Sequence, residues 1–108
     1  MPIYNKLVRD RIPEIIARSG RTFTLKVLDE EEYRRELQKK VREELAEYMG
    51  ALSNQDALEE LADMLELVHA LASVHGFTVE ELEEVRNEKM EKRGGFQERL
   101  YLIDVEDR

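Results

Sequence analysis

Cysteine is absent from the 108 residues of this chain. Its absence excludes a disulfide framework, a zinc–thiolate site and a cysteine nucleophile, and it is compatible with an intracellular setting. No uninterrupted apolar run approaches the roughly 20 residues of a membrane span. The opening MPIYNKLVRDR is too charged for a signal peptide. We therefore expect a cytoplasmic protein without a membrane partner.

Basic residues are also too few for a general nucleic-acid binder. The chain has 17 Lys and Arg against 25 Asp and Glu, a net charge of −8, whereas binding to a phosphate backbone needs a basic surface. The charged fraction of 39% favours helices with solvated faces. The hydrophobic fraction of 42% argues against disorder. The length predicts a single domain, residues 1–108.

Apolar spacing and cap residues predict four helices. Each is expected to open at a good capping residue and to close at a glycine or near the next turn. The predicted ranges are Asp10 to Gly20, Asp29 to about Met49, Asn54 to about His75, and Thr78 to Gly94. The pair Thr78 and Glu81 has the spacing of a capping box.

Two short segments read as strands. In TFTLKVL, residues 22–28, the side chains Phe23, Leu25 and Val27 alternate onto one side. The expected partner is RLYLIDV, residues 99–105. Because an isolated strand pair is marginal, it must pack on helices. The predicted fold is therefore mainly α, an antiparallel helical bundle with a small two-stranded β addition.

The third predicted helix is apolar over more than one face. Its main stripe is Leu58, Leu61, Leu65, Val68 and Ala72, and a second set, Met64, Leu67, Leu71 and Val74, widens it. Such a helix is expected to be the most buried element. Its apolar surface exceeds the needs of so small a bundle, which indicates an oligomer.

Two acidic clusters flank the turn between the second and third helices. EELAE covers residues 43–47 and ELAD covers residues 60–63, so Glu44 and Glu47, and likewise Glu60 and Asp63, share a helix face. If the helices are antiparallel, Glu44 lies level with Asp63, and Glu47 lies level with Glu60. The four carboxylates then form a box suited to a hard divalent cation.

The alternative is an ordinary solvated acidic face, since a chain with 25 acids contains such pairs by chance. Two positions favour a site. Glu44 continues the apolar line of Leu37 and Val41, and Asp63 lines up with Leu67. Carboxylates brought together near a core repel each other and take up protons unless a cation joins them.

The pattern EExxE followed by ExxD on consecutive helices resembles the all-α nucleoside triphosphate pyrophosphohydrolases, a superfamily that includes MazG and the dimeric dUTPases. The opening YNKLVRDRIPEII, residues 4–16, and the late KMEKRGGF, residues 89–96, are similar to a MazG-like branch labelled phosphoribosyl-ATP pyrophosphohydrolase-like. The resemblance spans nearly the whole chain.

This resemblance implies an enzyme that cleaves the α–β phosphoanhydride of a nucleotide to a nucleoside monophosphate and pyrophosphate. The implied Mg²⁺ ligands, with Mn²⁺ as a substitute ion, are Glu44, Glu47, Glu60 and Asp63. Glu43, Glu44 and Glu47 form the implied catalytic group, in which Glu43 has the least defined role. Relatives in the superfamily form dimers or tetramers, so a homodimer or homotetramer is expected.

Positive groups are needed to hold a polyphosphate on an acidic protein. The candidates are Lys6 and Arg9 at the start of the chain and Lys89 and Arg93 before the double glycine; ordinary surface charge is the alternative for each. Gly94 and Gly95 follow a helix, so they are expected to end it rather than to cradle phosphate.

Two other functions stay open. The chain could be a true phosphoribosyl-ATP pyrophosphohydrolase of histidine synthesis, which the same acidic motif would serve. It could instead be a non-catalytic helical adaptor that binds a metal, a nucleotide or a protein partner. An adaptor predicts binding without turnover.

Overall fold

The computed structural model describes residues 2–107 and is built from four helices. They are α1 (Ile12–Arg18), α2 (Glu30–Met49), α3 (Asn54–Val74) and α4 (Val79–Arg93). The prediction of a mainly α fold is confirmed. None of these helices is long and apolar enough to cross a membrane.

Two helix starts follow the predicted caps. The Asp29 carboxylate accepts a hydrogen bond of 2.8 Å from the Glu32 N–H, and this bond is the main cause of a lowered pKa at Asp29. At α4, Thr78 Oγ1 accepts from the Glu81 N–H, and Glu81 in turn accepts from the Thr78 N–H, each at 3.1 Å. The predicted capping box is confirmed.

Two other predicted caps were wrong. Asn54 is already the first residue of α3, and Ser53 caps it by accepting from the Asp56 N–H at 3.1 Å. Serine and asparagine are equally good caps, so the sequence offered two adjacent choices. At α1 the cap position belongs to Arg11, which makes no side-chain cap bond, rather than to Asp10.

The hairpin of α2 and α3 holds the core. Residues 50–53 join the two helices, and residues late in α2 lie near residues early in α3, so the helices are antiparallel as predicted. Leu37 of α2 is 2% exposed and Leu67 of α3 is 9% exposed. Helix α3 makes a smaller contact with α4. This hairpin positions the candidate site.

The predicted β addition was wrong, because residues 2–107 form no strand. The segments 22–28 and 99–105 are both irregular. Their apolar side chains are largely exposed, with Tyr101 at 90%. Alternating apolar residues favour a strand only when one face is covered, and neither segment finds that cover on the helices. Gly94 ends α4 with a φ of +80°, as predicted.

Only one of the two apolar sets of α3 is covered by the rest of the chain that the structure describes. The set that includes Leu67 and Leu71 is buried or half-buried beside α2. Four members of the predicted main stripe, Leu58, Leu61, Leu65 and Val68, are exposed on the other side, with Leu65 at 55%, whereas the fifth, Ala72, is half-buried. Helix α3 is therefore not uniformly buried, and its stripe at spacings of three and four residues faces outward.

The molecule is extended for its size. Its radius of gyration is 18.7 Å, against about 13 Å for a compact domain of this length. Its accessible surface is 10323 Å², against roughly 6,300 Å² for a compact monomer of this mass. A large share of its apolar surface is thus left uncovered by the single chain.

Candidate metal centre

Three carboxylates converge on the α2–α3 hairpin. One oxygen from each of Glu44, Glu47 and Glu60 lies within 4.8 Å of the others. Glu44 and Glu47 are one helical turn apart on α2, and Glu60 faces them from α3. The predicted pairing across the turn therefore brings three of the four proposed ligands into one cluster, called here the carboxylate cluster.

The carboxylate cluster contains unpaired buried oxygens. Glu44 is only 9% exposed, as its place on the apolar line of α2 predicted. Its Oε2 atom and the Oε2 atom of Glu60 have no hydrogen-bond partner within the described chain. A buried carboxylate oxygen without a partner is costly, so these two atoms are suited to bind a proton or a cation.

Protons compensate for part of this crowding. The pKa of Glu60 is raised to about 7, first because its protonated form can donate a hydrogen bond to Glu44, then because it can do so to Glu47, and further by burial and by the neighbouring charges. Burial raises the pKa of Glu44, and the charges of Glu47 and Asp63 raise it further. The cluster therefore binds positive charge in the form of a proton.

Asp63, the fourth proposed ligand, has a different partner. Its Oδ1 atom accepts a hydrogen bond of 2.6 Å from the Arg9 guanidinium. This ion pair joins the N-terminal segment to α3, and both side chains stay partly exposed. Asp63 therefore lies beside the carboxylate cluster, and its charge is balanced by the Arg9 side chain.

A cavity of about 270 Å³ opens beside Asp63 and Glu44. Three cationic side chains line it: Lys6 and Arg9 from the N-terminal segment and Lys40 from α2. Two of these were predicted to bind substrate. The sequence reasoning missed Lys40, although it lies one helical turn before Glu44; Glu66, three residues after Asp63, was also missed. We call this space the cationic cavity.

A second cavity of about 370 Å³ lies at the opposite side of the cluster, near the turn between the helices. Glu47 and Glu60 border it together with Leu52 and Asp56. No lysine or arginine lines it among the residues that the structure describes. The cluster thus has one flank that favours anions and one that does not.

The remaining proposed site residues lie outside this arrangement. Glu43 is exposed on α2. Lys89 and Arg93 are exposed on α4 and line neither of the two cavities. Their proposed roles stay predictions.

The donor set fits a hard divalent cation. All three groups offer carboxylate oxygens, which Mg²⁺ and Mn²⁺ prefer over softer donors. One oxygen from each group lies within 4.8 Å of the others, so Glu44, Glu47 and Glu60 could hold one such ion between them. The unpaired Oε2 atoms of Glu44 and Glu60 are the natural first ligands.

Comparison with known proteins adds a relative but no function. A 54-residue stretch is 48% identical to a protein of Mycolicibacterium smegmatis that is described only as an uncharacterized protein. The match covers 50% of this chain and 55% of that protein, so it spans about half the length of each. No family model matches the chain, and no solved structure matches it.

Proposed function

We propose that the protein is a Mg²⁺-dependent nucleoside triphosphate pyrophosphohydrolase of the MazG-like all-α type. In the proposed reaction, water cleaves the α–β phosphoanhydride, and the products are a nucleoside monophosphate and pyrophosphate. The observation that carries the proposal is the approach of Glu44, Glu47 and Glu60 within 4.8 Å of one another. Removal of non-standard nucleotides is the cellular role that we propose for it.

The carboxylates supply the negative charge that holds the cation. Mg²⁺ at this position would act as a Lewis acid toward the phosphates and neutralise the charge that develops on them. Glu44 is fixed by burial, whereas Glu47 is exposed and free to adjust its rotamer. Asp63 becomes the fourth ligand once its carboxylate is released from Arg9.

The cationic cavity is the proposed place for the phosphate chain. Lys6, Arg9 and Lys40 line it, and their charges oppose the repulsion between an acidic protein and a polyphosphate. Arg9 suits a phosphate particularly well because a guanidinium donates two parallel hydrogen bonds. Lys89 and Arg93 are proposed to reach the substrate from α4.

We also propose that the protein works as a cytoplasmic homodimer or homotetramer. The exposed stripe of α3 supports this, since Leu58, Leu61, Leu65 and Val68 form an uncovered apolar row. A row of this kind on a helix is self-complementary about a two-fold axis.

Incubation with a panel of nucleoside triphosphates and Mg²⁺ tests the activity directly. We expect equal amounts of monophosphate and pyrophosphate from at least one substrate, and no release of single phosphate. The panel includes phosphoribosyl-ATP, which separates the proposed function from the histidine-pathway enzyme. Nucleotide binding without any turnover would favour the adaptor instead.

Substitution of a cluster residue tests the site. Glu44→Gln should lower activity by about 100-fold, because it removes the charge of a buried ligand. Glu59→Gln is the matched control: it removes the same charge from an exposed residue next to Glu60 and should leave the rate unchanged. Equal rates in the wild type and in Glu44→Gln would refute the ligand assignment.

A further inference from the structure

Arg9 and Asp63 form an ion pair, although the proposed function gives them different ligands: phosphate for Arg9 and a metal ion for Asp63. Arg9 lines the cationic cavity, and Asp63 lies between that cavity and the carboxylate cluster. The two residues come from distant parts of the chain, the N-terminal segment and α3. In the described structure the positive charge of Arg9 and the negative charge of Asp63 neutralise each other. Neither charge is then fully available to a ligand.

Asp63 lies beside the cluster. It lines the cationic cavity together with Glu44, and it follows Glu60 by one helical turn on α3. Only Asp63 among the four acidic motif residues has an arginine partner in the described chain. The proposed ligand that lies outside the cluster is thus the one that pairs with Arg9.

We propose that Arg9 is a positioning residue that exchanges partners: it binds Asp63 when the cluster holds no divalent cation, and it binds a phosphate oxygen of the ligand when the cation takes Asp63. The proposal rests on the metal site proposed above and adds an order of events to it. Cation binding frees the guanidinium, and the freed guanidinium raises the affinity of the cationic cavity for polyphosphate.

The exposure of the pair makes such an exchange feasible. The Arg9 and Asp63 side chains are 57% and 40% exposed, so water screens their attraction. Exposed ion pairs of this kind contribute little to stability. A divalent cation competes effectively against one such contact, and a phosphate group offers the guanidinium a doubly charged replacement with matching geometry.

Titration of Mn²⁺ without any nucleotide tests the first half of the exchange. We expect Arg9→Gln to bind Mn²⁺ about 2- to 5-fold more tightly than the wild type, because Asp63 is then free. Arg11→Gln is the matched control, since Arg11 lies two residues away and pairs with Glu14 instead. It should leave the Mn²⁺ affinity within about 1.5-fold.

A double-mutant cycle separates the specific contact from the general loss of positive charge. In an Asp63→Asn background, Arg9→Gln should no longer change the Mn²⁺ affinity. If Arg9→Gln binds Mn²⁺ no more tightly than the wild type, or if its effect persists without the Asp63 charge, the exchange is overturned. A wild type that binds no Mn²⁺ overturns it as well.

Inorganic tripolyphosphate tests the second half. In saturating Mn²⁺, Arg9→Gln should bind tripolyphosphate at least about 5-fold more weakly than the wild type, because a charge-assisted contact is lost. Arg11→Gln should bind as the wild type does. If Arg9 merely tethers the N-terminal segment to α3, the Mn²⁺ affinity will not increase, and the proposal is wrong.

None of these measurements requires hydrolysis. Coupled effects of Arg9 and Asp63 on Mn²⁺ binding, together with a nucleotide panel that gives no products, would disprove the enzyme and leave the exchange standing. If the protein hydrolyses a nucleotide but Arg9→Gln leaves the Mn²⁺ affinity unchanged, the exchange is disproved and the enzyme proposal stands. Arg9→Lys, which keeps the charge but loses the paired donors, should fall between the wild type and Arg9→Gln in both titrations.

Discussion

The carboxyl group of Glu60 loses its proton near neutral pH. Its pKa is raised from 4.5 to about 7 because its protonated form can donate a hydrogen bond to Glu44 or Glu47, and because burial and the neighbouring charges disfavour ionisation. The folded state therefore holds this proton more tightly than the unfolded chain. Without metal, the contribution of Glu60 to the free energy of unfolding should be fully present below about pH 4.5 and should be lost as the pH rises through about 7. Thermal melts in EDTA at about pH 5, 6, 7 and 8 measure this slope.

The pH slope has two internal checks. Glu60→Gln, which cannot lose a proton, should flatten the slope over this interval. Saturating Mg²⁺ at about pH 8 should restore the stability lost there, because a cation replaces the proton. The lowered pKa values of Asp29 and Glu83 act below this interval. A melting temperature that rises between about pH 5 and pH 8 in EDTA would contradict the assignment.

At the same residue scale, the sequence predicted the burial of Glu44 but not the partner of Asp63. Glu44 continues the apolar spacing of its own helix, so local periodicity was sufficient. The contact of Asp63 with Arg9 links residues 54 positions apart, and it depends on where an irregular N-terminal segment lies. No periodic pattern specifies the path of such a segment.

At the scale of elements, the α2–α3 hairpin depends on a small core. Leu37 is 2% exposed, and Leu37→Ala should lower the free energy of unfolding by about 2–5 kcal/mol. Leu52→Ala is the control, because Leu52 lies in the connecting turn and is almost fully exposed; its effect should stay within about 0.5 kcal/mol. Urea unfolding at one fixed protein concentration measures both. Equal losses would show that the core lies elsewhere.

The helices were predictable and the strands were not. Each helix carries its own information, in apolar spacing, in caps such as Asp29 and Thr78, and in the closing Gly94. The predicted start of α3 was wrong by one residue, because two good capping residues, Ser53 and Asn54, are adjacent there. The alternation in 22–28 and 99–105 is equally regular, but a strand needs a partner and a covered face. Those conditions depend on the whole fold.

At the scale of the whole molecule, the exposed stripe of α3 predicts self-association. Leu65→Glu should weaken the oligomer at least about 10-fold, because it places a charge from each copy in an apolar contact. Gln55→Glu adds the same charge to an exposed position of α3 outside the stripe and should have no effect. Analytical ultracentrifugation over a range of concentrations distinguishes them. A wild type that stays monomeric throughout would refute the proposed oligomer.

The sequence indicated an excess of apolar surface on α3 but not which face of the helix would remain exposed. Both apolar sets satisfy helical spacing, and their hydrophobicity is similar. The side of α3 that packs on α2 carries both Glu60 and Leu67. The choice between two such faces is made by packing, which single-helix patterns do not contain.

The short connection between α2 and α3 also bears on how the chain folds. All three cluster carboxylates lie between residues 44 and 60, so the contacts that bring them together are local in sequence. Closing so short a loop costs little chain entropy and is fast. The three carboxylates are thus brought together by the helical hairpin alone, without the N-terminal segment. If the proposed site binds a divalent cation, that cation should stabilise the isolated hairpin as well as the whole chain.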